Sequence, residues 1–393
     1  MPLHGHVNPS LPLVRALAER GEEVAYCATA PFAAAIEQAG ARVRLYRAPI
    51  LSDLTPMSER LEAMASFLTG AIEQVLEHDL EGFRGERPDY VIADSVAPWG
   101  QWTAQILGVP VVTSIPTFAV NRRVLAFAAS SGTRPKSVRL TLAKIRHVAG
   151  AVRLRRRLRR RYHVHGTSIM GLMFGSSALN IVHTSSEFQP CAETFDDGFL
   201  FIGPSVESRI GSGGVERDEP RTTPLVYVSL GTLFNRDAEF YRRCVDAFAG
   251  DEIGVAMSIG RHVPVDSLGA LPANVAVEPW LPQLDVLRRA SAFVSHGGMN
   301  SVSESLHYGV PLLVIPQMGE QELVGRRVEQ LGAGLYLART NVTADTLRTA
   351  VRRLLGEPAF RDRAAAIGAS FEAAGGAARG AGAILDFLRM AAR

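Results

Sequence analysis

Cysteine is scarce in this chain and lysine is nearly absent. Cys27, Cys191 and Cys244 are odd in number and far apart, so neither a disulfide framework nor a cysteine-rich metal site can be assembled from them. Lys136 and Lys144 are the only lysines beside 40 arginines, a bias that reflects the gene and carries no mechanism. Acidic residues disappear between Ser95 and Ser186, where 14 basic residues fall; that stretch carries +14 and the remainder −11, hidden inside a net charge of +3. The charge-free run from Ser95 to Asn121 is long enough to raise a membrane span, but Pro98, Pro110 and Pro116 break it into short elements. Missing too are the G-x-x-x-x-G-K-[ST] phosphate loop and a strand-borne G-x-G-x-x-G with its acidic follower, which demotes ATP hydrolysis and nicotinamide chemistry. No histidines stand at metal-ligand spacing with carboxylates, so no metal site is expected. The start, Met1 to His6, lacks the basic and apolar regions of a secretory signal, and the expected location is cytoplasmic.

What remains is ordinary globular material, 47% hydrophobic and 21% charged over 393 residues, more than one core usually holds. Short β-rich segments alternate with helix-period segments throughout, which predicts an α/β chain with parallel sheets. Strands are expected at Glu23–Thr29, Arg42–Tyr46, Tyr90–Asp94, Val111–Ile115 and Ala178–His183, then at Leu225–Ser229, Gly254–Ile259, Val275–Glu278, Ala292–Ser295, Pro311–Ile315 and Gly334–Leu337. Helices are expected at Asn8–Arg20, Pro31–Ala39, Ser58–Phe83, Trp99–Leu107 and Pro358–Ala392. From Phe199 to Thr223 the sequence loses periodicity and reads as a linker, which gives domains over 1–203 and 224–393 joined by 204–223.

Ligands of parallel sheets bind beyond the carboxyl ends of strands. That rule selects His4-Gly5-His6-Val7-Asn8-Pro9, Asp94, Ser229-Leu230-Gly231-Thr232 and Ser295-His296-Gly297-Gly298-Met299-Asn300-Ser301. In the last, a glycine turn runs into a helix start, whose free N–H groups suit a phosphate, with His296, Asn300 and Ser301 as further donors. The competing reading makes Asn300 or Ser301 a helix N-cap, with Ser301 and Glu304 in a capping box. For His6 the competing role is a helix-entry residue, and for Asp94 an N-cap.

Trp280-Leu281-Pro282-Gln283, His296-Gly297-Gly298-Met299-Asn300-Ser301-Val302-Ser303-Glu304, Gly309-Val310-Pro311 and Pro316-Gln317-Met318-Gly319-Glu320-Gln321, in that order, resemble the donor-binding signature of family 1 nucleotide-sugar glycosyltransferases, the bacterial macrolide group above all. The resemblance implies the GT-B fold, two Rossmann-like domains facing across a cleft, with acceptor bound by the first and donor by the second. It implies an inverting, metal-independent transfer from a UDP-sugar, less favourably a dTDP-sugar, to a hydroxyl of a hydrophobic macrolide, polyketide or phenol, with no cofactor beyond the nucleotide-sugar. His6 would be the base and Asp94 its partner, with His4 the rival base. Trp280 would stack on the nucleotide base with Gln283 nearby, and Glu304 would accept from the ribose hydroxyls. Ser229, Thr232, His296, Gly298, Asn300 and Ser301 would surround the diphosphate, and Glu320 and Gln321 would bind the sugar. The family more often has Asp where Glu320 stands. It also has an apolar strand ahead of the His-Gly-His motif, so a first strand of roughly 5–6 residues is expected to be missing here. A catalytically silent auxiliary partner is the alternative that this gap motivates.

The segment 134–161 holds 12 basic residues, with Val138, Leu142, Ile145, Val148 and Val152 at helical spacing. A solvated insertion of the acceptor domain is the favoured reading, and a membrane-surface helix of a glycolipid-forming transferase is the alternative. Without interleaved aromatics no nucleic acid partner is expected. A homodimer is left open.

Overall fold

The computed structural model describes residues 1–51, 61–130, 152–153, 156–158, 160–162, 177–206, 223–232 and 235–391. Most of the basic segment 134–161 lies outside them, as do residues 207–222 of the expected linker and 58–60 of an expected helix. The chain divides into two compact units, one made of Met1–Leu125, Arg134–Ser205 and Ala374–Arg393, the other of Ala126–Thr133 and Val206–Ala373.

The N-terminal half carries α1 (His4–Ala18), β1 (Ala25–Ala28), α2 (Ala33–Gln38), β2 (Arg42–Leu45), α3 (Leu61–His78), α4 (Leu80–Glu86), β3 (Val91–Asp94), α5 (Pro98–Leu107), β4 (Val111–Ile115), α6 (Arg122–Ser130), β5 (Leu179–Val182) and β6 (Phe199–Phe201). Its strands form two parallel sheets, β1-β2 and β3-β4-β5-β6, and no strand joins them among the described residues. Helix α1 ties the two together because it is apolar on two sides. Val7 and Val14 pack with Ala28, Phe32 and Ile36, whereas Leu13 and Leu17 pack with Val112 and Ile181. Ser10 adds a hydrogen bond to Tyr26 of β1 at 2.8 Å.

Two expectations are corrected here, and the reading of the charge-free run as short elements holds. Helix α1 starts at His4, one turn before the expected Asn8, with Pro9 and Pro12 inside it. Each proline lacks the N–H that would reach the carbonyl four residues back, at Gly5 and Asn8, and the helix tolerates both because tertiary packing holds it. Phe199–Phe201, read as the start of the linker, is a strand parallel to β5. The charge-free run from Ser95 is α5 followed by β4, and no helix among the described residues is long and apolar enough to cross a membrane.

The second unit carries β7 (Leu225–Ser229), α7 (Ala238–Phe248), β8 (Gly254–Ser258), β9 (Val275–Glu278), α8 (Gln283–Arg289), β10 (Ala292–Ser295), α9 (Met299–His307), β11 (Leu312–Val314), α10 (Gly319–Gln330), β12 (Gly334–Tyr336), α11 (Ala344–Gly356) and α12 (Pro358–Ala373). Its six parallel strands run β12-β11-β10-β7-β8-β9. They are nearly continuous apolar runs, as a sheet covered on both faces requires. Val226, Val228, Val294 and Leu313 share one core with Phe240, Phe248, Leu347 and Val351 from helices α7 and α11. Asp237 caps α7 by accepting the Phe240 N–H at 3.1 Å, and Thr343 opens α11 in a capping box with Thr346.

The expected terminal helix Pro358–Ala392 is two helices, α12 and α13 (Gly376–Ala391), parted at Gly375-Gly376 where φ is +86° and +59°. Residues from Ala374 belong to the first unit rather than to the expected domain 224–393. Ala381 and Ile384 of α13 pack with Leu13, Leu17 and Ile202, and Ile202 O accepts the Gly376 N–H at 2.8 Å.

Candidate active site

In the first unit, the early start of α1 places His6 in its first turn, and β3 ends at Asp94. His6 Nδ1 donates to Asp94 Oδ2 at 2.8 Å, and each side chain is 14% exposed. A carboxylate that accepts from Nδ1 fixes the tautomer and leaves the Nε2 lone pair bare. The other carboxylate oxygen accepts the Val96 N–H at 2.8 Å, and the Met1 ammonium lies 3.8 Å from Oδ2. Burial alone would raise this carboxyl. The charge of His6, the Met1 ammonium and the hydrogen bonds from His6 and Val96 outweigh it and hold Asp94 well below the usual carboxylate range. Asp94 is not a helix cap, since the residue before α5 is Ala97. His4 is exposed and packs edge-on against Phe32 at 4.8 Å between ring centroids, so of the two histidines it is His6 that has the carboxylate partner.

Beside the dyad, Ser114 at the end of β4 lies opposite Asp94 in the sheet register, and its Oγ lies 2.9 Å from His183 Nε2 just after β5. His183 is 2% exposed, and burial pushes its imidazole down to about 4 against the pull of Asp94, so the ring is neutral. His183 is the last residue of the expected strand Ala178–His183. The strand-end rule that selected Asp94 also selects it.

In the second unit, the strand order reverses between β7 and β10, the topological switch point where ligands bind in open α/β sheets. Ser229 and Ser295 end these two strands as direct register partners, so the two candidate turns stand side by side. Each serine Oγ accepts an N–H two residues on, from Gly231 and from Gly297, both at 3.2 Å. The His296 ring fills the space between the turns. A Cβ on Gly231, where φ is +75°, would lie 2.6 Å from His296 Cε1, and one on Gly298 would lie 2.5 Å from Nε2. Only glycine permits this closeness at both positions. Burial pushes His296 down to about 4, opposed by a backbone contact at Ser229, so it offers one N–H as a neutral ring.

Helix α9 begins at Met299 with Gly298 as its cap residue and no side-chain cap. Asn300 and Ser301 are therefore inside the first turn rather than caps, and the Ser301–Glu304 capping box is not formed. Ser301 and Glu304 are instead joined by Gln283, whose Nε2 donates to Ser301 Oγ at 3.1 Å and to Glu304 Oε2 at 2.5 Å. Glu304 is 3% exposed, and a buried carboxylate needs such donors. Beneath Gln283, the Tyr227 hydroxyl lies 3.5 Å from its Oε1, and the Tyr227 ring stacks on Phe293 at 4.7 Å. Gln321 is buried and accepts the Gln317 N–H at 2.8 Å, so it braces the loop after β11. Trp280 is 70% exposed on the loop between β9 and α8, an apolar plate that ordinary folding would cover. Thr232 and Glu320 are exposed, and Asn300 is half-buried.

Two residues that hold this site were not found from the sequence. Tyr227 reads as one more apolar residue of a strand. Asn235 is 7% exposed, and its Nδ2 donates to Gly231 O at 2.9 Å, which fixes the turn that His296 packs against. Nothing in the local pattern marks either. Among the described residues no group of three or more His, Cys, Asp or Glu side chains is placed to hold a metal ion.

The chain is similar to known proteins over nearly its whole length. Residues 249–376 match the family described as erythromycin biosynthesis protein CIII-like, C-terminal domain. An NDP-glycosyltransferase of Bacillus subtilis is 36% identical over 397 residues, covering 100% of this chain and 97% of the relative. The oleandomycin glycosyltransferase of Streptomyces antibioticus is 31% identical over 386 residues, with 96% and 87% covered. The crystal structure of the calicheamicin glycosyltransferase CalG4 superposes with a TM-score of 0.80 at 31% identity, over 98% of this chain and 96% of that one. With its two parallel α/β units and its full-length relatives, the chain belongs to the family 1 nucleotide-sugar glycosyltransferases of the GT-B fold, close to the macrolide glycosyltransferases.

Proposed function

We propose that this glycosyltransferase moves a hexose from a UDP-sugar to a hydroxyl of a hydrophobic natural product, with inversion and without a metal. The observation that carries the reading is the 2.8 Å hydrogen bond from His6 Nδ1 to Asp94. It leaves Nε2 to take the acceptor proton, as a general base at neutral pH must. As the proton moves to Nε2, the acceptor oxygen forms a bond to the anomeric carbon. The bond from that carbon to the diphosphate oxygen breaks on the opposite face, and the electron pair leaves with the nucleoside diphosphate. Asp94 stabilises the imidazolium that results.

The leaving diphosphate gains charge during the step. The N–H of neutral His296, the free amides at the start of α9, and Ser229, Thr232, Asn300 and Ser301 are the donors we assign to it. Trp280 offers a face for the uracil ring. Gln283 and Glu304 meet the ribose, and because Glu304 can accept from both hydroxyls of a ribose but from one of a 2′-deoxyribose, UDP-sugars are favoured. Glu320 and Gln321 are assigned to the sugar hydroxyls. A macrolide-type acceptor is supported by the names of two relatives, the oleandomycin glycosyltransferase and the demethyllactenocin mycarosyltransferase.

The test is a mass-spectrometric transfer assay in EDTA with UDP-glucose and dTDP-glucose against a pooled macrolide and phenol library. Wild type should add a hexose, with UDP-glucose preferred, and His6→Ala should not. Transfer that requires added divalent metal, or persists in His6→Ala, defeats the proposal.

A further inference from the structure

The first unit holds a second charged feature, to which the proposed transfer assigns no role. Arg153, Arg156, Arg157, Arg160 and Arg161 line a cavity of about 540 Å³. Their spacing is that of one face of a helix, i, i+3, i+4, i+7 and i+8, and the described residues 152–153, 156–158 and 160–162 are helical. Leu158, 4% exposed, is the anchor; it packs into the core that contains Trp99 and Trp102, with Tyr162 against the same core. The face is therefore held by the fold while all five guanidinium-bearing residues stay exposed.

Five like charges on one face repel one another, and the sequence offers little to offset them. No acidic residue occurs from Ser95 to Ser186. Across the space, Glu73 of α3 pairs with Arg157 at 3.0 Å, and Arg161 lies over the Tyr162 ring at 5.3 Å. Arg153, Arg156 and Arg160 line the same cavity, and among the described residues none of them has a comparable anchor. All five are arginine rather than lysine, and the guanidinium fork matches pairs of phosphate oxygens, whereas an ammonium acts as a point charge.

We infer that this arginine cavity is a binding site for clustered phosphate groups, either of a soluble polyphosphate anion or of an anionic lipid surface. The test uses the full chain with excess UDP present, so that a donor site is filled. Inorganic tripolyphosphate is titrated by calorimetry at low salt, and flotation is measured with vesicles of phosphatidylglycerol and phosphatidylcholine against phosphatidylcholine alone. The variants are the triple substitutions Arg153→Gln/Arg156→Gln/Arg160→Gln and Arg153→Lys/Arg156→Lys/Arg160→Lys, which leave the Glu73 and Tyr162 contacts in place.

Saturable tripolyphosphate binding without flotation identifies a soluble anion as the source; flotation with the anionic vesicles alone identifies the lipid. In either case the glutamine variant should lose about tenfold or more in affinity at unchanged melting temperature, and the lysine variant several-fold. Failure of both probes to bind overturns the inference. So does binding that survives in the glutamine variant, and so does full binding in the lysine variant, which would leave only diffuse positive charge.

Discussion

Replacing Asp94 by asparagine keeps the shape of the side chain and removes its charge. In wild type, Oδ2 accepts from His6 Nδ1 and Oδ1 accepts the Val96 N–H, each at 2.8 Å. An asparagine whose oxygen stays with Val96 turns its NH₂ toward Nδ1. The ring must then accept at Nδ1 and carry its proton on Nε2, the atom that has to be bare. The charge is lost as well. A carboxylate and an imidazolium with charge centres about 4 Å apart interact by about 4 kcal/mol at an effective dielectric of about 20. The pair is 14% exposed on each side, so we discount this to about 3 kcal/mol, a fall in kcat of roughly 10²–10³-fold. The residues we assign to the donor lie in the other unit, so the KM for the UDP-sugar should hold. The assay is initial-rate product formation by mass spectrometry at saturating acceptor, with the melting temperature as the folding control. A folded Asp94→Asn enzyme with kcat within about threefold of wild type would refute the role of the carboxylate.

Three further outcomes follow from the same geometry. Glu304→Gln replaces a charged acceptor by a neutral one, and the preference for UDP- over dTDP-sugar should fall about three- to tenfold; equal losses on both donors would remove Glu304 from ribose recognition. Gly231→Ala puts a Cβ 2.6 Å from His296 Cε1, and Asn235→Ala removes the bond that holds the same turn, so both should raise the donor KM about tenfold and leave the acceptor KM alone. Against acid, His183 and His296 should both weaken the fold. Their native values are pushed down to about 4, below the ordinary 6.5, so the unfolded chain binds the proton first; their stabilisation is complete above pH 6.5 and is lost as pH falls toward 4. Each contributes about 2 kcal/mol of loss by pH 5, and a melting temperature flat from pH 7 to pH 5 would contradict the buried neutral rings.

Strands that pair inside a sheet were legible in the sequence. Val111–Ile115, Leu225–Ser229 and Ala292–Ser295 were expected to the residue, because buried parallel strands are short apolar runs with sharp polar ends. Phe199–Phe201 was not, since three residues show no period and the glycines, prolines and serines after them read as linker. The true start of α1 was hidden by Asn8, Pro9 and Pro12, all helix-boundary signals that packing against two sheets overrides. Where α13 belongs was invisible for a different reason. A local pattern shows that a helix has an apolar face, not which sheet covers it. The site divides in the same way. His6, Asp94, the two serine-led turns and the Gln283–Glu304 pair stood at strand ends and in ordered motifs. Tyr227 and Asn235 act through burial and topology, which no motif records, whereas His183 stands at a strand end that the same rule selects.

The central claim is a single displacement with His6 as the base. The most direct test is the proton NMR spectrum of the product formed from α-linked UDP-glucose. The account predicts one β-linked glucoside, with a large diaxial coupling at the anomeric proton, formed by wild type and not by His6→Ala. An α-linked product would contradict inversion, and β-linked product from His6→Ala at an undiminished rate would contradict the base.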